Sequence, residues 1–133
     1  MKKKIIAFIG VVVVIMLLGA YWLFNDMFPK AEPIKQLEIS MLESVNLHDN
    51  ENKEIVLSEE DLQKLINYIN SAVPTRTMSI NDYPSVRPYY VIELKTADRR
   101  FGYMIYEDNG TAYVELPYEG VYEIDREVIE ILR

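Results

Sequence analysis

The sequence predicts an α+β protein: an N-terminal transmembrane helix, then one small two-layer domain ordered β-β-α-β-β-β-α around an antiparallel sheet. Three observations predict it. Residues 5–24, IIAFIGVVVVIMLLGAYWLF, are apolar without interruption; Leu62, Leu65, Ile66 and Ile69 recur at helical spacing; and Asn109-Gly110 lies between two stretches of alternating character.

The apolar run comes first. Its 20 residues make about 30 Å of helix, the thickness of a bilayer's hydrocarbon core, and exceed the usual apolar segment of a signal peptide. Lys2, Lys3 and Lys4 precede it, and Asn25 and Asp26 follow, so the positive-inside bias places the N-terminus in the cytoplasm and the remainder outside. The expected organisation is a basic tail at 1–4, a membrane span at 5–24, a linker at 25–33 and an extracytoplasmic domain at 34–133. Cleavage by a signal peptidase after Leu18-Gly19-Ala20 is the alternative, although Leu18 is a poor fit to a position that prefers small residues. A buried core helix is excluded by the lack of a polar stripe.

Residues 25–33, NDMFPKAEP, hold two prolines and read as a spacer. From 34 to 47, Leu37, Ile39 and Met41 alternate with Gln36, Glu38 and Ser40, which predicts a half-buried strand. The polar stretch 48–53 reads as a turn, and residues 54–57 as the second strand of a hairpin. Ser58 then precedes Glu59-Glu60-Asp61: a capping hydroxyl and three acids at the positive end of a helix dipole. That helix runs to Ala72 or Val73, ahead of Pro74.

Residues 74–88 contain three prolines and no sustained period, a connection longer than most in compact domains. It reads as a crossing strap, with Asn81-Asp82 as a local turn and Tyr83 against a sheet edge, or as a binding loop. Strands are expected at 89–95, 101–106 and 111–116. The Asn109-Gly110 turn sets their register: Tyr106 opposite Tyr113, Ile105 opposite Val114, Met104 opposite Glu115 and Tyr103 opposite Leu116. One face then carries Tyr90, Ile92, Leu94, Phe101, Tyr103, Ile105, Ala112, Val114 and Leu116 and receives the amphipathic helix. The other carries Val91, Glu93, Met104, Tyr106, Tyr113 and Glu115, and needs cover from the first hairpin, the last helix or a partner. Residues 117–120 form a turn, 121–124 a short extended piece, and Asp125 caps a final helix bearing Val128, Ile129 and Leu132.

Of 133 residues, about one hundred lie beyond the linker, enough for one core. Setting the three N-terminal lysines apart leaves 11 cations against 21 acids, a net charge of −10, unfavourable for nucleic acid or anionic lipid. With no cysteine there is no disulfide, thiolate metal site or thiol nucleophile. No internal repeat or low-complexity segment appears outside the apolar run.

Two stretches, residues 75–84 with Ser79-Ile80-Asn81-Asp82 and Pro84, and residues 113–122, YVELPYEGVY, resemble an uncharacterised family of small membrane-anchored Firmicutes proteins, the domain of unknown function 5301 family. The likeness covers most of the domain after the linker. It implies a fold and a Gram-positive surface location, and transfers no catalytic residue, because the family has no established activity.

Candidate chemistry is sparse. The single histidine, His48, sits in a polar turn with no serine motif beside it. Glu93 and Glu115 share a sheet face and are the one carboxylate pair on which a divergent envelope enzyme could draw. The stretch 49–54, DNENKE, departs from a calcium loop at Lys53 and lacks its glycine, and Asn109-Gly110-Thr111 spells a glycosylation site that the hairpin turn already explains. No cofactor or metal is implied. The tyrosines carry more: ten occur, nine of them after the apolar run. Tyrosine favours recognition surfaces, because its rigid ring gives large contact area and its hydroxyl stays wet. Arg76, Asn81, Asp82, Tyr83 and Arg87 on the long loop, with Tyr106, Tyr113, Glu115 and Tyr118, are therefore the candidate binding residues. The sequence points to a single-pass anchored binding or regulatory domain acting on another envelope protein or peptide.

Overall fold

The computed structural model describes residues 1–133, which fall into two compact units, Met1–Lys30 and Ala31–Arg133. The first is helix α1, Lys2–Met27, about 39 Å long, with no buried residue and a mean hydropathy of 2.7 over its most apolar window. It is long and apolar enough to cross a membrane. A signal sequence has the same character.

The second unit is α+β with an antiparallel sheet, as expected. Its strands are β1 (Leu42–Asp49), β2 (Val73–Pro74), β3 (Tyr89–Thr96), β4 (Arg100–Asp108), β5 (Thr111–Leu116) and β6 (Gly120–Ile124), in spatial order β1-β3-β4-β5-β6-β2. Helix α2 (Glu59–Asn70) follows β1, and α3 (Glu127–Leu132) ends the chain. The Asn109-Gly110 turn, with φ of 50° and 80°, sets β4 against β5 in the expected register, Ile105 opposite Val114 and Met104 opposite Glu115.

That register sorts the side chains. Tyr90, Ile92, Leu94, Tyr103, Ile105, Ala112, Val114 and Leu116 form the main core with Leu65, Ile66 and Ile69 of α2 and Val128, Ile129 and Leu132 of α3. Each fully buried aliphatic side chain contributes about 1.5–3 kcal/mol. The amphipathic helix lies where the pattern placed it. Its start is fixed by Ser58, whose Oγ accepts from the Asp61 amide at 3.1 Å and donates to the Asp61 carboxylate at 2.8 Å. Asp125 likewise accepts from the Glu127 amide at 2.9 Å, at the entry to α3.

The order departs from the expected one in two places. First, the alternating residues 36–41 are not a strand; β1 begins at Leu42, after a single 3-10 turn at Ile39–Met41. The side chain of Asn70 takes the place of a neighbouring strand there. Its Nδ2 donates to the Leu37 carbonyl at 2.7 Å and its Oδ1 accepts from the Leu37 amide at 2.9 Å, which docks residue 37 on the end of α2. Second, the expected strand at 54–57 shrinks to one bridge, Glu54 opposite His48. The Asp49 carboxylate gathers the amides of Glu51 and Lys53, and the chain then turns away to start α2. Two strands compensate: the 121–124 piece pairs fully with β5 as β6, and Val73–Pro74 pairs with β6 at the sheet's edge, where a proline without an N–H is tolerated.

Candidate functional site

The chain leaves β2 as a strap over the second face of the sheet. Thr75 launches it, donating its amide at 3.0 Å and its hydroxyl at 2.7 Å to the Val121 carbonyl. Ser79 is then buried against β5, its Oγ donating to Glu115 Oε1 at 2.6 Å. Pro84 is buried in turn, and Val86 packs on a second cluster made of Tyr89, Val91, Met104 and Tyr106. The Asp82 carboxylate accepts from the Tyr118 hydroxyl at 2.6 Å, and the Tyr118 amide donates to Ser79 Oγ at 3.3 Å. Tyr118 adopts φ 64°, the left-handed conformation that a tight β5–β6 turn requires. Strap and turn are thus stitched together over Glu115.

This arrangement redistributes the expected binding residues. Tyr106 and Glu115 are buried and Tyr113 is half-buried, so the tyrosine-bearing face is closed and not a free surface. Its cover is the strap, in place of the first hairpin or last helix, because the hairpin's second strand does not form and α3 packs on the opposite face. The Tyr106 ring lies 5.6 Å from that of Tyr113, and its hydroxyl pKa is pushed up to about 12 by burial and by the charge of Glu115. Asp82 and Tyr118 meet at the outer edge of the closed face. Asn81, Tyr83 and Arg87 stay exposed on the strap, Tyr83 with its ring 6.0 Å from Tyr89, while Arg76 is half-buried.

Glu93 and Glu115 do share a face, separated by strand β4 and offset by one diagonal step, about 12 Å at Cα from strand geometry. Glu93 is in solvent, accepting from Asn46 Nδ2 at 3.0 Å, while Glu115 is under the strap. At 49–54 the Asp49 carboxylate faces backbone amides, and that of Lys53, opposed by desolvation and helped by that of Glu51, holds its pKa below the usual value. His48 Nδ1 lies 2.9 Å from the Asp49 carbonyl oxygen.

A feature that the sequence reading did not single out is a cleft of about 640 Å³ at the end of the main core, between residues 32–35, the start of β4 and the β5–β6 turn. Lys35 and Arg99 bring cations to it, and Glu32 and Glu119 bring carboxylates, whereas Arg100, opposite Lys95, has the parity of Gly102 and belongs to the other face of the sheet. The Arg99 guanidinium sits 5.5 Å from the Phe101 ring centroid, and Phe101 stacks on Tyr103 at 6.3 Å and 9°. Tyr122 donates from its hydroxyl to the Glu32 carbonyl at 2.6 Å, which holds the 32–35 wall in place. The adjacent Arg99-Arg100 pair in an acidic chain was the available signal.

The DUF5301 family model, described as a domain of unknown function (DUF5300), matches residues 27–123. The chain belongs to this family. The match begins where α1 ends and takes in β1 to β5, β6 up to Glu123, the strap and the cleft. Among solved structures, the chain is similar to one described as the NMR structure of the protein from Ruminococcus gnavus, with 28% identity, 72% of this chain and 97% of that chain covered, and a TM-score of 0.56. No curated protein matches the chain.

Proposed function

We propose that this family member is a single-pass membrane-anchored binding or regulatory domain: tail 1–4 in the cytoplasm, span 5–24, linker 25–33 and domain 34–133 on the outer side of the membrane. It engages another envelope protein through the outer surface of the strap. The observation that carries the reading is the exposure of large side chains there. Met78 is 75% exposed, Ile80 68% and Tyr83 57%, with Tyr118 of the adjoining β5–β6 turn at 66%, although the strap is anchored from beneath by Ser79 and Pro84. A fixed backbone presenting apolar and tyrosine side chains loses little conformational entropy on binding. The three lysines before α1 support the orientation, and the helix's length supports retention in the bilayer.

Two measurements test it. Protease added to whole protoplasts should digest the 34–133 domain and spare the tail; a sheltered C-terminus overturns the topology. A photocrosslinker at position 83 should capture one defined membrane protein, and Ile80→Ser with Met78→Ser should abolish that capture while the melting temperature holds. Failure to capture any partner removes the binding reading. The mass of the mature chain separates anchor from secreted form, since cleavage after Ala20 removes the lysine-rich start.

A further inference from the structure

Eleven cations follow the apolar run in this chain, and the acids outnumber them. Lys64, Lys95, Arg126 and Arg133 each pair with a neighbouring carboxylate. Lys35 and Arg99 form no ion pair, yet both line the 640 Å³ cleft. The cleft also holds the carboxylates of Glu32 and Glu119, equally without an ion pair. Opposite charges gathered around one opening without neutralising each other leave two kinds of partner unfilled.

Tyr103 adds an independent observation. It is 1% exposed, and its hydroxyl makes no hydrogen bond to the protein. No buried side-chain oxygen or nitrogen lacks a partner, so this hydroxyl opens onto the cleft that its ring lines. It is a held, unfilled polar group at the cleft's floor, with the Arg99–Phe101 stack beside it. The volume suits a small ligand, which pockets of about 300–1,000 Å³ hold.

We propose that this cleft binds a zwitterionic ligand the size of a short peptide. Its carboxylate lies on Arg99 and Lys35, its ammonium group on Glu119 and Glu32, and the Tyr103 hydroxyl bonds to it from below. Two carboxylates in the lining disfavour a polyanion, and two cations disfavour a polycation, so a ligand bearing both charges is selected. The site stands apart from the strap surface, and its test does not depend on the strap reading.

The experiment uses the full-length protein in detergent micelles with ring-labelled tyrosine, followed by NMR during titration with trialanine, trialanine amide, N-acetyl-trialanine and inorganic phosphate. Free trialanine should shift the Tyr103 and Tyr122 ring signals saturably, and blocking either end should weaken binding roughly tenfold. Arg99→Gln combined with Lys35→Gln should abolish the shift. Tyr103→Phe removes a hydroxyl that bonds to nothing in the protein, so it should weaken binding severalfold at an unchanged melting temperature. No saturable shift with free trialanine, equal binding of either blocked form, or phosphate binding as tightly as the peptide overturns the proposal.

Discussion

Ser79 and Glu115, thirty-six residues apart in sequence and each 7% exposed, meet in a 2.6 Å hydrogen bond that fastens the strap to strand β5. A buried carboxylate needs donors, and Ser79 supplies one at the point where the strap crosses the sheet. Ser79→Ala should therefore destabilise the domain by about 1–3 kcal/mol, measured by urea unfolding of the protein in micelles. Glu115→Gln keeps an acceptor for Ser79 and should cost less. Equal stability of Ser79→Ala and the parent protein would show that the strap is held by Pro84 and Val86 alone.

The cap of α2 is the most local of the stabilising contacts. Ser58 and Asp61 bond reciprocally, side chain to amide and hydroxyl to carboxylate. Ser58→Ala should lose about 1 kcal/mol, and Ser58→Asn much less, in the same unfolding assay.

Much of this fold is legible because its signals are local. Asn109-Gly110 fixes one turn, the turn fixes the β4–β5 register, and a period of two then assigns every side chain from Phe101 to Leu116 to a face. Ser58 announces α2 in the same way. The misread parts depend on contacts between distant residues. Leu37 looks like a strand residue, and it is hydrogen-bonded as one, but to the side chain of Asn70. The strap's role was half legible: its prolines marked an irregular crossing, but that it buries Tyr106 and Glu115 follows from Ser79 reaching across to β5. The cleft was hidden for another reason. Lys35, Arg99, Glu119 and Tyr103 come from three separated segments, and no spacing rule joins them.

Two glycines should respond oppositely to alanine. At Gly120, buried in β6, an added Cβ would run into the Ala31 side chain, which has no flexible end to swing aside. At Gly102, exposed in β4 opposite Glu93, a Cβ meets nothing within 4 Å. Gly120→Ala should cost about 1–3 kcal/mol through overpacking. Gly102→Ala should be neutral or stabilising by up to roughly 1 kcal/mol, because it restricts the unfolded chain. Thermal melts of the two variants side by side decide the matter, and a destabilised Gly102→Ala would contradict the open space over β4.

Alkaline pH should unfold the domain through its tyrosines. Burial raises the pKa of Tyr103 to about 12, assisted by the charge of Glu119 and opposed by Arg99; burial raises Tyr106 to about 12, assisted by Glu115 and Tyr113. Tyr122 moves in the same direction, again chiefly through burial. In the unfolded chain these phenols ionise near 10. Between about pH 10 and 12 the unfolded state therefore binds fewer protons than the folded one, and stability falls as pH rises. Below pH 10 both states are protonated and the full contribution is present; above about 12 it is lost. Unfolding free energy measured across this window should slope downward, and Tyr106→Phe or Tyr103→Phe should each flatten the slope. Tyrosinate absorbance of the native protein gives the direct check: the part of the signal due to Tyr103 and Tyr106 should appear only as pH approaches about 12, and its appearance near pH 10 would show that neither buried ring is shielded by its strand neighbours.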